Sequence, residues 1–167
     1  MDKVGILYLS CGVPGSGKST FLEEMKGEDE VIVSRDKIRF QILRPGEDYF
    51  SRDKEVYAKF MNEIVRNIRN GVNVYADATH LDEKSRYLLI SQLRHRGLPD
   101  STEINAIYFN VPLKVCKERN EMRRGTKTYV PIYELEHMYC VFSPPSRIEG
   151  FSNIWEVNQD GEVEIIY

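Results

Sequence analysis

The sequence has no stretch of about 18 consecutive apolar residues, so nothing in it reads as a membrane-spanning helix. Cysteine is scarce: Cys11, Cys116 and Cys140 are the three present, with no Cys-x-x-Cys pair. An odd, scattered set argues against a disulfide framework and is expected to be buried free thiols in a reducing compartment. A dominant charge is also missing. The chain carries 23 Lys+Arg against 26 Asp+Glu, a net of −3, which does not suit a long, non-specific nucleic-acid track. Internal repeats, low-complexity tracts and an interdomain linker are absent. Met1-Asp2-Lys3 runs directly into an apolar segment and is expected to leave no room for a signal peptide. Without leader or membrane span, a cytoplasmic location is expected. What remains is an ordinary soluble composition, 41% hydrophobic and 29% charged over 167 residues. That length is expected to make one domain, residues 1–167, able to bury a core.

The most constrained segment is Gly12-Val13-Pro14-Gly15-Ser16-Gly17-Lys18-Ser19-Thr20. It follows an apolar run, Val4 to Cys11, and precedes a helix-forming stretch, Phe21 to Lys26. This is Gly-x-x-x-x-Gly-Lys-[Ser/Thr] in the strand-then-helix context that gives the motif meaning. Small residues let backbone N–H groups turn inward around a polyphosphate. Lys18 reaches for the β- and γ-phosphates, and the Ser19 hydroxyl is a Mg²⁺ ligand candidate. Residues 12–20 are therefore the candidate ATP cradle, with the helix N-terminus adding partial positive charge.

Strands and helices alternate along the rest. Val31 to Val33 is a short strand, and Arg35 to Leu43 reads as a helix stopped by Pro45-Gly46. Over 52–70, Val56, Tyr57, Phe60, Met61, Ile64, Val65 and Ile68 share one helical face. Val72 to Ala76, Ile104 to Asn110 and Ile154 to Val157 read as strands, with a further segment at Val163 to Tyr167 after a Gln159-Asp160-Gly161 turn. Helices are expected over Asp82 to His95, from Pro112 to about Arg123, and after Pro131, where Leu135, Met138, Tyr139 and Phe142 share a face. Repeated strand–helix–strand units give an α/β fold: about five parallel strands with helices on both faces. Ligands in such sheets lie at the carboxyl ends of the strands.

The segments at those ends carry polar groups suited to phosphoryl transfer. Asp36, after the second strand, is placed to accept the proton of an attacking hydroxyl; capping the helix over 37–43 is the structural alternative. Arg39 lies one turn on, as a candidate contact to an acceptor phosphate or a partner for Asp36. Asp77 ends the third strand, where an acid orients the Mg²⁺ shell or the Ser19 hydroxyl; a turn cap with Thr79 competes. His80 is a candidate substrate contact. Two segments are basic: 35–44, with four basic and one acidic residue, and 114–127, with six and two. Residues 132–167 hold seven acidic residues and one basic, a net of −6. Two local basic segments suit a phosphate-rich ligand in one cleft. In the second, Arg119 and Arg123 are four residues apart and Arg124 and Lys127 flank Gly125. Arginines on a mobile segment over a phosphate loop stabilise transition-state charge and exclude water. Tyr49 and Phe50, in the loop Pro45 to Ser51, would either stack on a terminal base or pack back on the protein; such stacking contributes roughly 1–3 kcal/mol.

Taken in order, Gly-x-Pro-Gly-Ser-Gly-Lys-Ser-Thr, Ser-Arg-Asp-Lys-Ile-Arg, Asp-Ala-Thr-His, Glu-Arg-Asn-x-x-Arg-Arg-Gly-Thr-Lys and Val-Pro resemble the kinase domain of 5′-polynucleotide kinases of the phage and bacterial RNA-repair type. The resemblance spans about residues 5–157 and implies a P-loop kinase fold with a helical lid at about 119–131. It implies that Lys18 and Ser19 bind ATP and Mg²⁺. It makes Asp36 the general base for a 5′-hydroxyl end, has Arg39 contact the neighbouring phosphate, and sets Arg119 and Arg123 on the transferring phosphate. A phage origin would place the protein in host cytoplasm. Kinases of other hydroxyls share much of the pattern, so an aminoacyl-tRNA, a nucleoside or a small metabolite is the alternative acceptor. A nucleotide switch without transfer chemistry is a third reading. Arg123-Arg124 is doubled against the polynucleotide kinase pattern, which leaves either arginine as the phosphate-facing one. No Asp-x-Asp-Gly-Thr phosphatase motif or Lys-x-Asp-Gly ligase motif occurs. End healing would therefore need separate ligase or phosphatase partners.

Overall fold

The computed structural model describes residues 3–167. Met1 and Asp2, part of the expected leaderless start, lie outside the described residues. The first strand, β1 (Leu7–Cys11), is buried at every position. It is followed by α1 (Lys18–Met25), β2 (Val31–Ser34), α2 (Arg35–Ile42), α3 (Asp53–Arg69) and β3 (Val74–Asp77). Then come α4 (Glu83–His95), β4 (Ile104–Phe109), α5 (Leu113–Glu121), α6 (Ile132–Val141), β5 (Ile154–Val157) and β6 (Val163–Ile165). The strands form one sheet in the order β2-β3-β1-β4-β5-β6.

Strands β1 to β5 pair in parallel, and β6 pairs antiparallel to β5. The antiparallel addition follows from its connection: a tight turn through Gly161, at φ +78°, returns the chain beside the strand it has just left. The sixth segment expected from the sequence is thus an edge hairpin. Crossovers run from β1 towards β3 and β2 on one side and towards β4 and β5 on the other. The order reverses at β1, so its carboxyl end opens the crevice where ligands bind in such sheets.

Both faces are covered. On one, Val56, Phe60, Ile64 and Ile68 of α3 and Leu89 and Leu93 of α4 pack against Leu7, Leu9, Val74 and Ala76. The α3 residues are the apolar positions at three- and four-residue spacing noted above. On the other face, Leu22 of α1 packs with Tyr8, Tyr75, Ile107 and Phe109. A smaller cluster of Val13, Val111, Cys116 and Leu135 joins α5 and α6 to the phosphate loop. Among the described residues, no helix is long and apolar enough to cross a membrane.

Three expectations are corrected. Cys140 is exposed, unlike Cys11 and Cys116, because α6 turns Leu135 inward and carries Cys140 on its outer side. Tyr139, expected on the inner face, is 38% exposed for the same reason. Helix α5 stops at Glu121, so Arg123 lies in the turn beyond it rather than on the helix.

Candidate active site

Cys11 ends β1 and the chain turns at once. Gly15 and Gly17 take φ of +82° and +90°, a region that penalises any Cβ. A Cβ on Gly15 would also lie 2.5 Å from the Cys116 carbonyl oxygen, because α5 packs on the loop. Gly17 caps α1 in the left-handed conformation without a side-chain hydrogen bond. The first N–H groups of α1 are left to face the cleft, which is the anion site of a helix N-terminus. Ser16 Oγ is buried without a protein partner. Pro14 fills the turn, and Ser19 and Thr20 stand exposed at the helix start.

Lys18 donates from Nζ to the Val13 carbonyl at 2.9 Å. Burial pushes its pKa below the ordinary lysine value, opposed by Asp77 and reinforced by the positive charge of Arg123, with Asp36 also felt. The charges acting on Lys18 therefore come from β3, α2 and the segment after α5. Ser19 Oγ donates to Asp77 Oδ2 at 2.9 Å, so the acid at the end of β3 serves the serine and not a turn cap. A hydroxyl and a carboxylate are hard oxygen ligands, as Mg²⁺ requires. Among the described residues, no group of three or more His, Cys, Asp or Glu gathers to hold a metal. Mg²⁺ takes few protein ligands and completes its shell with water and phosphate. The cradle thus fits a Mg²⁺–triphosphate.

On the β2 side, Ser34 is the N-cap of α2, its side chain accepting from the Lys37 amide at 3.2 Å. Asp36 is relieved of capping, remains exposed, and accepts from Tyr49 Oη at 2.6 Å. Arg39 departs from the open position that a phosphate contact needs. It is 3% exposed, pairs with Asp53 at 2.8 Å and lies 4.2 Å beneath the Tyr49 ring.

Beyond α5, Asn120 donates to the Val130 carbonyl at 2.7 Å and accepts from the Val130 amide at 3.0 Å. This pair pins the two ends of the 121–130 segment together, a link that its sequence spacing did not reveal. Arg124 turns outward to Glu121 at 2.9 Å. Arg123 instead lines a cavity beside the phosphate loop and acts on Lys18. Lys127 reaches across to α2, 5.9 Å from the Phe40 ring, so the two basic segments border one cleft.

Arg119 departs from the expected lid position. It donates to the carbonyls of Gly15 at 3.3 Å and Gln159 at 2.8 Å. It thereby ties the phosphate loop to the β5–β6 turn. Between them opens a cavity of about 810 Å³, walled by Phe21, Met25, Phe109 and Val157 and closed by residues 158–161. The sequence marked 159–161 only as a turn. Its position after a strand, like the other site segments, was the available signal.

His80 also departs from its expected role. It is 6% exposed, with Nδ1 against the Ser10 carbonyl at 2.6 Å. Burial, outweighing that carbonyl, pushes its pKa down to about 3. This leaves no open face for a substrate. Behind it, Arg86 donates to the His80 and Ser143 carbonyls, each at 2.9 Å. Arg86 also forks onto Glu149 at 2.7 and 3.1 Å. The β3–α4 loop, which follows Asp77, is anchored through this buried pair.

The family model for the AAA domain (AAA_33) matches residues 7–145. No curated protein matches the sequence. The fold is shared with the structure of the Pnkp1/Rnl/Hen1 RNA repair complex, at 22% identity and a TM-score of 0.63, over 84% of this chain. This chain spans only 44% of that one. It is shared equally with a sugar kinase from Janibacter sp., at 16% identity and TM-score 0.66, covering 95% of this chain and 87% of the other. Kti12 of Chaetomium thermophilum, in complex with ADP-AlF3, matches at 17% identity and TM-score 0.64, over 93% and 90% of the two chains.

Proposed function

This chain belongs to the AAA domain family with a P-loop kinase-like fold, and from that premise we propose that it is an ATP- and Mg²⁺-dependent kinase of 5′-hydroxyl nucleic-acid ends. The observation that carries the reading is Asp36. It is an exposed carboxylate at the end of β2, free of capping duty and felt by Lys18 across the cleft. A nucleotide switch has no use for an acceptor-side acid there. A transferase does.

Residues 12–20 hold the triphosphate on backbone amides, and Lys18 leaves the Val13 carbonyl for a phosphate oxygen. Ser19 and Asp77 would hold Mg²⁺, which would supply charge neutralisation on the phosphates. Asp36 takes the proton of the acceptor hydroxyl as its oxygen attacks the γ-phosphorus. Arg123 approaches the transferring group from the segment after α5, and Arg119, held on α5, orders the nucleotide side. The transition state spreads its charge over the equatorial oxygens and the leaving oxygen, so a guanidinium fixed beside them lowers the barrier. The basic segments 35–44 and 114–127 suit an acceptor with several phosphates.

A neighbour belonging to an RNA repair complex supports the polynucleotide reading, with separate ligase or phosphatase partners completing end healing. A kinase of another hydroxyl acceptor, an aminoacyl-tRNA, a nucleoside or a small metabolite, is the second reading, favoured by the burial of Arg39. The test is transfer of labelled γ-phosphate from ATP to short 5′-hydroxyl RNA and DNA oligonucleotides. Asp36→Asn is expected to lower transfer at least about 100-fold while ATP still binds. A KM for the oligonucleotide that rises steeply with salt supports several phosphate contacts. No labelled end, with ATP bound, moves the acceptor to the second reading.

A further inference from the structure

Three contacts from one residue control both acceptor-side groups. Tyr49 Oη donates to Asp36 Oδ1 at 2.6 Å. The Tyr49 carbonyl accepts from Arg39 Nη1 at 3.0 Å. The Tyr49 ring lies 4.2 Å from the Arg39 guanidinium carbon, with the Phe50 ring 5.7 Å away and edge-on to Tyr49. Arg39 Nε, beneath them, is buried with no partner. A guanidinium carries five donors in a fixed fork, and leaving one unsatisfied out of water is costly. The arrangement is therefore incomplete as it stands.

We propose that Tyr49 is an acceptor gate: its phenol holds the place of the acceptor hydroxyl on Asp36, and its ring covers Arg39 until an acceptor displaces both. The proposal rests on the reading of Asp36 as the base. A phenol O–H donating to a carboxylate is the same hydrogen bond that an attacking alcohol must make. While it is made, that oxygen is not free to accept a proton from water, and water is the competing acceptor in any kinase. Displacement then uncovers Arg39 Nε for an acceptor phosphate and frees two aromatic rings to stack on a base.

The connection is tied within itself. Glu47 accepts from the Arg44 amide at 2.9 Å and is paired with Arg52 at 2.8 Å, closing the loop on itself. Burial and the bond to Asp36 push the Tyr49 pKa up to about 12, so the phenol stays a donor throughout the working range.

The test is ATP hydrolysis without acceptor, in Tyr49→Phe, which keeps the ring over Arg39 and removes only the hydroxyl. Hydrolysis is expected to rise at least about threefold, the scale of one modest hydrogen bond read as a rate ratio. The KM for acceptor is expected to fall by a similar factor. In an Asp36→Asn background the substitution is expected to change nothing. A residue that merely supports the fold lowers turnover. Hydrolysis that is unchanged or lower in Tyr49→Phe overturns the gate, as does a rise that persists with Asp36→Asn. Hydrolysis needs no acceptor, so a wild-type protein that labels no oligonucleotide refutes the 5′-end reading without touching this result.

Discussion

Glu149→Gln is the sharpest test of how the site is held. The Glu149 carboxylate accepts four bonds: from Arg86 Nε at 2.7 Å and Nη2 at 3.1 Å, and from the Ser146 amide at 2.7 Å and hydroxyl at 3.3 Å. The Arg86 and Glu149 side chains are 1% and 6% exposed. Glutamine at this position replaces one acceptor oxygen by an N–H₂ facing donors, and leaves a buried guanidinium without its counter-charge. Breaking a buried pair in this way costs about 3–5 kcal/mol. For a chain of this size each kcal/mol lowers Tm by roughly 2–4 °C, so a fall of about 10 °C is expected. Urea melts with unchanged m-value give the same quantity at fixed temperature. A Glu149→Gln fall below about 2 °C would refute the argument that this pair anchors the β3–α4 loop.

The other expectations concern ligands and pH. Arg123→Ala is expected to lower kcat by about 10-fold or more with little change in the KM for ATP, whereas Arg124→Ala, which loses exposed contacts to Glu121 and the Tyr129 ring, leaves both within about twofold. Equal effects would show that the outward placement of Arg124 does not persist with substrate bound. Arg119→Ala is expected to raise the KM for ATP more than it lowers kcat, since its bonds join the phosphate loop to the cavity wall; steady-state kinetics separate the two. His80 has a folded pKa pushed down to about 3 against about 6.5 in the unfolded chain. The unfolded state therefore binds the proton first, and stability is lost as pH falls from about 6.5 towards 3. Chemical denaturation at pH 6 and pH 4 is expected to show a difference of about 2 kcal/mol from this residue. His80→Asn, which tolerates the local φ of +43°, is expected to flatten it.

The phosphate loop was legible in the sequence because its constraints are local. Gly15 and Gly17 must take positive φ, and Lys18 and Ser19 follow where a strand hands over to a helix. The helices α3 and α4 and the buried strands were legible for a related reason: apolar spacing repeats over a few residues, whatever lies beyond them. The placement of Asp36 and Asp77 at strand ends also followed, since parallel sheets put their crevice there.

Side-chain partnerships between distant segments were not legible, because spacing along the chain carries no information about them. Ser34, not Asp36, caps α2, and only the folded loop shows Tyr49 taking the freed carboxylate. Arg39 and Asp36 share a helix face, yet the aromatic loop buries one and binds the other. Arg123 and Arg124 are neighbours whose roles divide only when the turn after Glu121 aims one at Lys18 and the other at solvent. Arg119 reads as a lid residue until the β5–β6 turn, 40 positions further on, arrives beside it. The sequence by itself determined the fold class and the phosphate cradle, through backbone conformation and apolar period. The tertiary structure decided which charged groups face the cleft, because that depends on which segments meet at the carboxyl end of β1.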